Sequence, residues 1–358
     1  MRCIAGLLAP VLAAGTVLGA GCSSLTSPDG LKTRAVARIQ SRPAWSADGL
    51  TIYYTDRVNG GITVVSLHAL DVVSEDARQL AAVNALNHGE QVRTTSDPSV
   101  VFVSVAHPDW SLQLDLYGVP EAGGTPERLL SNLGTPWFVL SGDGERVAYQ
   151  GSSFDSDSIY VASTSQPAQQ VKFPSVGRFP RVMSLSPSGD FLVYGSWSGV
   201  YLAPTSGSGT HRLIVSPSEG APVIAPDVRW VGEAPHLLVS EAPTASEDSI
   251  VVEDLDAVSG ERTVLGAVPR GRAPEAGWEL ARSRDGSAFA VWVPIELVEE
   301  TFEGRIYRYR LYLKRQTDPR PLQGLELVTG TPLWFEFSPD GSRIALLLSG
   351  RLYLVTTG

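Results

Sequence analysis

The sequence predicts an all-β fold, a single β-propeller of about seven four-stranded blades closed by its N-terminal strand. Three observations support this prediction: a recurring turn phrase, a basic-apolar phrase that ends most units, and an unassigned segment near the N-terminus. The composition agrees, because 35 Gly and 25 Pro among 358 residues suit a turn-dense β protein. With 43% hydrophobic residues, the chain also has ample material for a core.

The recurring phrase is a short Ser-to-Gly turn between two runs of β-forming residues. Asp-Gly between such runs is a strong hairpin signal, because Gly accepts the positive φ that the turn needs. Its return about every 45 to 55 residues indicates a repeat architecture, and four strands per unit make that a propeller. Clear copies are residues 46–49, 141–144, 186–189, 283–286 and 338–341, and degraded copies are residues 96–99 and 232–235.

Most units end in an Arg followed by apolar residues, which predicts the outermost strand of each blade. Examples begin at Arg78, Arg128 and Arg212. The last unit lacks such a strand, whereas residues 35–40 (AVARIQ) carry the matching Arg-Ile pair ahead of the first unit. We expect this N-terminal strand to complete blade seven and to remove an open sheet edge.

The N-terminus predicts export. Arg2 is the only charged residue of the first 22, residues 4–21 are apolar or small, and Cys22 follows small residues. This segment resembles a bacterial lipoprotein signal in which Cys22 is acylated and becomes the mature N-terminus. We therefore assign residues 1–21 to a signal peptide, 22–33 to a tether and 34–358 to the propeller. A plain secreted form or an uncleaved anchor is the alternative.

Cysteine content fits that assignment, because Cys3 lies in the signal and only Cys22 would remain in the mature chain. No intramolecular disulfide is then possible. Ser23 differs from the Asp-type signal for retention at the inner membrane. We expect an exported lipoprotein of the cell envelope, on the outer membrane if the host has one.

The phrases at residues 42–49 (RPAWSADG) and 334–341 (WFEFSPDG) resemble the WD-repeat-like propeller repeat of the TolB family. The resemblance runs from about residue 35 to residue 358. It implies the propeller fold and a binding role, and it says little about activity. TolB itself carries an N-terminal α/β domain before a six-bladed propeller, so its binding to a peptidoglycan-associated lipoprotein is not carried over.

Motifs for catalysis or for a cofactor are weak. Residues 205–209 (TSGSG) suit a flexible turn better than a nucleophile elbow. His88, His107 and Asp109 fall in loops expected on one face, where a metal or acid/base site competes with two solvated histidines. Residues 154–158 (FDSDS) offer carboxylates at a calcium-loop spacing but lack the Gly and Glu of a full loop. We predict no enzyme, no catalytic residue, no metal and no cofactor.

Loop charges predict an acidic rim around a more basic centre on one face. The net charge is −10, which disfavours nucleic acid. A solvated surface on an acidic protein is the alternative to a binding rim. The acidic residues are Asp56, Asp109, Asp155, Asp157, Glu241, Glu247, Asp248, Glu296, Glu299, Glu300 and Glu303, and the central basic residues are Arg42, Arg178, Arg181, Arg270 and Arg272.

The densest acidic stretch lies in a predicted long loop, residues 294–304. This loop also carries apolar residues, among them Phe302, which is our candidate contact for a partner. The alternative is that these apolar residues fold back on blade six or extend its strands.

Aligning the inner strands on their turns predicts which residues lie nearest the tunnel. Mixed charges and two Trp at a tunnel mouth would suit a ligand pocket. The alternative is that the Trp residues pack between blades and the charges pair with one another. Candidate binding residues from this alignment and from the basic centre are Arg42, Arg93, Trp137, Arg181, Arg229, Glu279, Trp334 and Glu336.

Together these patterns predict a monomeric, membrane-anchored extracytoplasmic lipoprotein. Its propeller would be a platform that binds an unidentified envelope protein or component, with the membrane reached through the lipid anchor. The alternative is a small-ligand binder or an enzyme that uses the tunnel.

Overall fold

The structure is a computed structural model. It describes residues 24–26, 36–39, 41–58, 64–84, 89–106, 113–133, 137–151, 158–178, 180–216, 227–240, 248–271, 278–301, 304–315, 319–329, 334–348 and 351–357. Every regular element in this part of the chain is a β-strand. None of the described segments forms a helix long and apolar enough to cross a membrane. The predicted signal peptide and Cys22 lie outside the described residues.

The strands form seven antiparallel sheets, which are the seven predicted blades. Blades one to four consist of Ala44–Trp45, Thr51–Val58, Val64–Asp71 and Ala77–Asn84; Gly89–Arg93, Val100–Ala106, Leu114–Pro120 and Glu127–Leu133; Phe138–Leu140, Arg146–Gln150, Ser158–Ser163 and Gln170–Pro174; and Arg181–Leu185, Phe191–Ser196, Gly199–Pro204 and Arg212–Val215.

The remaining three blades follow the same order from the inner to the outer strand. Blades five to seven consist of Asp227–Val231, Ala234–Ser240, Ser249–Asp256 and Arg262–Pro269; Glu279–Arg282, Phe289–Thr301, Gly304–Lys314 and Arg320–Thr329; and Trp334–Phe337, Arg343–Leu348, Arg351–Thr356 and Val36–Arg38. Ser24–Thr26 adds a fifth strand beside Arg320–Thr329 in blade six.

The core is divided among the seven junctions between neighbouring blades. Each of seven buried apolar clusters combines residues of two consecutive blades. Between blades six and seven, fully buried Trp292 meets Phe335 edge-on, with ring centroids 6.4 Å apart. Between blades seven and one, Trp45 packs with Ala345 and Leu352. The junctions therefore run round a complete ring.

The N-terminal strand lies where the sequence predicts it. Val36–Arg38 is antiparallel to Arg351–Thr356, with Val36 opposite Leu352. Ile39, which is 3% exposed, follows this strand into the cluster between blades seven and one. Whether this pairing is what holds the ring closed stays a prediction.

The repeated turn is held by the same hydrogen bonds in blade after blade. In blade one the Ser46 hydroxyl donates to Asp48 Oδ1 over 2.6 Å and accepts from Thr51 N over 2.9 Å. Asp48 Oδ1 also accepts from Leu50 N over 2.9 Å, and Gly49 has a φ of 71°. Blades three, six and seven repeat both serine bonds through Ser141, Ser283 and Ser338.

Neighbouring turns also contact one another, and we call this circle of turns the turn ring. Ser96 N donates to Gly142 O over 2.9 Å, and Asp143 N donates to Pro187 O over 3.3 Å. At the last junction, a Cβ on Gly49 would lie 3.2 Å from Cδ of Pro339. The repeated sequence phrase therefore forms both the hairpin within each blade and contacts between blades.

One predicted loop is a hairpin. Residues 294–304 were predicted as a loop, but residues 294–301 belong to the strand Phe289–Thr301 and residue 304 begins the strand Gly304–Lys314 of blade six. Opposite charges face each other across these strands, where Glu296 pairs with Arg308 and Glu300 with Arg305. The ladder between these two strands continues as far as Thr301 opposite Gly304, so the loop prediction was wrong. Phe302 and Glu303 lie outside the described residues.

A candidate binding chamber in the tunnel

The inner strands enclose a cavity of about 440 Å³ at the axis of the ring, which we call the chamber. It lies where the inner strands begin, towards the face opposite the turn ring. Its lining includes a residue from each of the seven blades. Its polar lining residues and its two tryptophans are Arg42, Gln91, Arg93, Trp137, Arg181, Asp227, Glu279, Arg282, Trp334 and Glu336.

Two arginines stack on one tryptophan in the chamber. The guanidinium carbon of Arg42 lies 4.2 Å from the Trp137 ring centroid, and that of Arg181 lies 4.3 Å from it. Cation–π contacts of this kind favour a guanidinium on an indole. Burial lowers the pKa of Arg181, and the charge of Glu279 opposes that shift. Trp137 therefore holds two cationic groups at the chamber wall.

The carboxylates of the chamber all have raised pKa values. Burial raises the pKa of Glu336 to about 7, against the attraction of Arg93. Burial also raises the pKa of Asp227, with Arg282 opposing, and that of Glu279, with Arg42 opposing. Although the Glu279 side chain is exposed to the cavity, protein surrounds it on several sides. The arginines therefore do not compensate fully for the enclosure of these carboxylates.

A second cavity of about 360 Å³ lies on the turn-ring side. Both cavities share Asp227, Val228, Arg282 and Glu336 among their lining residues. These shared residues form a charged waist between the chamber and the second cavity. The tunnel thus changes character along the axis, with the Arg–Trp cluster at one end and the turns at the other.

Arg282 is anchored by a network that runs into blade five. Its side chain is 4% exposed, and its Nη1 donates to Asp254 Oδ1 over 2.9 Å. Asp254 Oδ2 also contacts His236 Nδ1 at 3.2 Å, and Arg282 N donates to Asp227 Oδ2 over 2.8 Å. Arg282 therefore pairs with Asp254 outside the chamber and also attracts Asp227 within it.

The structure brings most of the predicted site residues together. Of the candidates, Arg42, Arg93, Trp137, Arg181, Glu279, Trp334 and Glu336 line the chamber. Arg229 lies instead in the second cavity, close against Gly286 of the next turn. Their role in binding stays a prediction.

Arg282 was not among the predicted candidates. It ends its inner strand and precedes the turn serine, as Trp45 and Phe337 do in blades one and seven. The other clear copies have an apolar residue at this position, namely Trp45, Leu140, Leu185 and Phe337. A basic residue there was the signal that could have identified Arg282.

Three of the five histidines are described, and each has a local partner. His68 stacks on Tyr54 with ring centroids 5.3 Å apart, His211 Nδ1 lies 2.6 Å from the Tyr194 hydroxyl, and His236 contacts Asp254. His88 and His107 lie outside the described residues, as do Asp155 and Asp157. Within the described ranges, no group of three His, Cys, Asp or Glu residues could hold a metal ion.

Known proteins resemble this one in fold. No family model matches the sequence, and no curated protein matches it. Among solved structures, an oligogalacturonate lyase in complex with manganese is 13% identical, with a TM-score of 0.62 over 94% of this chain and 97% of that chain. The Swd1 β-propeller domain from Myceliophteria thermophila is 12% identical, with a TM-score of 0.58 over 91% of this chain and 99% of that domain.

TolB from Acinetobacter baumannii is 15% identical, with a TM-score of 0.50 over 87% of this chain and 65% of that chain. The fold is a TolB-like and WD-repeat-like β-propeller. This result confirms the predicted fold class. At these identities the likeness concerns the fold alone, so the role of this TolB-like propeller has to be argued from its own residues.

Proposed function

We propose that this propeller is a non-enzymatic binding platform, exported and held at a membrane of the cell envelope by lipid on Cys22. The observation that carries the binding role is the cluster of Arg42, Trp137 and Arg181 at the chamber wall. Arg and Trp are enriched among residues that dominate binding energy at protein interfaces. A guanidinium already held on an indole also loses less conformational freedom when a partner arrives.

The charge distribution also favours the chamber as the binding site. The protein carries a net charge of −10, whereas the chamber gathers four arginines and three carboxylates, and burial raises the pKa values of these carboxylates. The two arginines stacked on Trp137 would attract an acidic group of a partner and orient it over the tunnel.

Capture of the partner tests this proposal with matched variants. The chamber variant carries Arg42→Gln and Arg181→Gln, which keep part of each apolar stem but remove two charges. The control carries Arg212→Gln and Arg262→Gln on outer strands of blades four and five. We expect the chamber variant to retain about a tenth or less of the partner from detergent-solubilised membranes, since loss of charged contacts costs more than about 1.4 kcal/mol. Equal capture by both variants would contradict the proposal.

Anchoring is tested separately by Cys22→Ala. The thiol of Cys22 is the proposed acyl acceptor, so the variant should lose both lipid attachment and processing at that site. Metabolic labelling with a palmitate analogue, followed by membrane fractionation, measures the effect. Equal incorporation of label into variant and parent would disprove lipidation at Cys22.

A further inference from the structure

The charges of the chamber are sorted by side. Arg42, Arg93 and Arg181 come from blades one, two and four, and they flank Trp137 of blade three. The three carboxylates, Asp227, Glu279 and Glu336, come from blades five, six and seven. We call these two sides the cationic wall and the acidic wall. The one exception is Arg282, which is bound to Asp254.

A cavity with two opposite walls discriminates among ligands by charge. A ligand that carries only negative charge is attracted to the cationic wall and repelled by the acidic wall. A ligand that carries only positive charge is attracted to the acidic wall and repelled by the cationic wall. A molecule with an ammonium group at one end and a carboxylate at the other is attracted at both ends. The volume of about 440 Å³ lies in the range of small-molecule pockets.

Mutual pairing of the walls competes with such a ligand. Arg42 and Arg181 act on Glu279, and Arg93 acts on Glu336. Pairing alone leaves the acidic wall poorly compensated, because burial outweighs the arginines and raises the pKa of every carboxylate on that wall. An ammonium group beside Glu279 would provide the missing charge, and a ligand carboxylate would replace Glu279 as the partner of the stacked arginines.

We propose that the chamber is a binding site for a small zwitterion, with its carboxylate on the Arg42–Trp137–Arg181 cluster and its ammonium group on Glu279 and Glu336. The site shares the Arg42–Trp137–Arg181 cluster with the proposed docking of a protein partner. Binding of a small zwitterion does not require that partner, so the proposal stands even if the platform proposal fails. The present proposal assigns a class of small ligand to the tunnel, which the proposed binding of a partner does not require.

Calorimetric titration of the purified propeller with three matched probes tests the site. Triglycine carries both charges, N-acetyltriglycine lacks the ammonium group, and triglycine amide lacks the carboxylate. Triglycine should bind at least about tenfold more tightly than either blocked probe, since each blocked end leaves one wall without its charge-assisted contact. Equal affinities for all three probes, or no binding of triglycine, would overturn the proposal.

One substitution on each wall tests which end of triglycine that wall contacts. Glu279→Gln should weaken triglycine about tenfold but should not weaken N-acetyltriglycine, because that anion has no ammonium group to lose and is no longer repelled by Glu279. Arg181→Gln should weaken triglycine but should not weaken triglycine amide, because that cation has no carboxylate to lose. The control is Arg262→Gln, which removes an exposed cation that pairs with Glu253 on the outer side of blade five. Equal weakening of a probe and its blocked form by either chamber variant would contradict the assigned orientation.

Discussion

Two carboxylates of blade seven, four residues apart in the chain, are held in opposite ways. Asp340 lies in the turn ring, where hydrogen bonds from Ser338 and Ser342 lower its pKa to about 2. Glu336 lies at the waist of the tunnel, where burial raises its pKa to about 7. Hydrogen bonds in the turn therefore stabilise the charged form of Asp340, whereas burial in the tunnel destabilises the charged form of Glu336.

The same contrast extends to the other blades. The turn serine makes the same two bonds in blades one, three, six and seven, so this position has one structural task. The chamber positions differ from blade to blade and include Arg, Gln, Trp, Asp and Glu. Repetition at one end of the inner strand and variety at the other are what we expect if the turns stabilise the ring and if the chamber binds a ligand or partner, as proposed.

The largest expected effect is the loss of the closing strand, because both regions are built between blades of a complete ring. Deleting residues 35–40 removes the strand Val36–Arg38 and buried Ile39. Ladder hydrogen bonds contribute about 0.5–1.5 kcal/mol each, and loss of a buried Ile side chain costs about 2–5 kcal/mol. We expect thermal unfolding at a markedly lower temperature than for a control that lacks residues 27–32. A melting temperature within a degree or two of the control would show that the ring is held closed by other contacts.

The second prediction concerns Glu336→Gln. The folded-state pKa of Glu336 is raised from 4.5 to about 7, so the folded protein holds a proton that the unfolded chain releases. The stability that this proton provides is complete below pH 4.5 and is lost as the pH rises through about 7. Glu336→Gln should therefore stabilise the protein at about pH 8 by on the order of 2 kcal/mol and have little effect near pH 5. Urea unfolding at pH 8 and at pH 5 measures this difference. An equal loss of stability in the Glu336→Gln variant at both pH values would contradict the prediction.

The third prediction is the opposite case, Asp340→Asn. The lowered pKa of Asp340 means that its contribution is present above pH 3.8 and is lost as the pH falls through about 2. Because this side chain is exposed, solvent screening limits the expected cost at neutral pH to about 1 kcal/mol. Asp285→Asn, at the same position in blade six, should cost a similar amount. If only one of the two lowered the midpoint of urea unfolding, the turns would not share one structural task.

The smallest effect is expected at the hairpin tip of blade six, outside both regions. Glu300 pairs with Arg305 over 2.9 Å, but both side chains are at least half exposed. Exposed pairs contribute little because water and salt screen them. Glu300→Gln should leave the melting temperature unchanged within error at low and at high salt. A clear loss of stability would mean that the hairpin contributes to the ring.

The sequence was sufficient to predict the fold because its signal is repeated. The recurring Ser-to-Gly turn phrase, together with its two degraded copies, predicted the seven blades. The Arg-Ile pair at residues 38–39 placed the N-terminal strand beside Arg351–Thr356. Alignment on the turns also located most of the chamber lining, since residues at equal distance from the turn lie at similar depth. The prediction failed where the repeat itself departs from its pattern, as in the extended hairpin of blade six.

The electrostatics of the site could not be predicted in the same way. The stacking of Arg42 and Arg181 on Trp137 joins three different blades, and no local pattern encodes a contact between them. Arg282 was missed because its partner Asp254 lies on the third strand of another blade. The sorting of charges into two walls became visible only when the blades were placed in a ring.

The most direct test of the division between turn ring and chamber uses two variants of one inner strand and its turn in blade four. Arg181→Gln alters the chamber, and Ser186→Ala removes the turn hydroxyl that accepts a hydrogen bond from Phe191 N over 3.1 Å. For each variant, the midpoint of urea unfolding and the partner captured from solubilised membranes are measured together. We expect Arg181→Gln to lose capture with an unchanged midpoint, and Ser186→Ala to keep capture with about 1–3 kcal/mol less stability. If both variants lost stability and capture in parallel, the two ends of the tunnel would not have separate tasks.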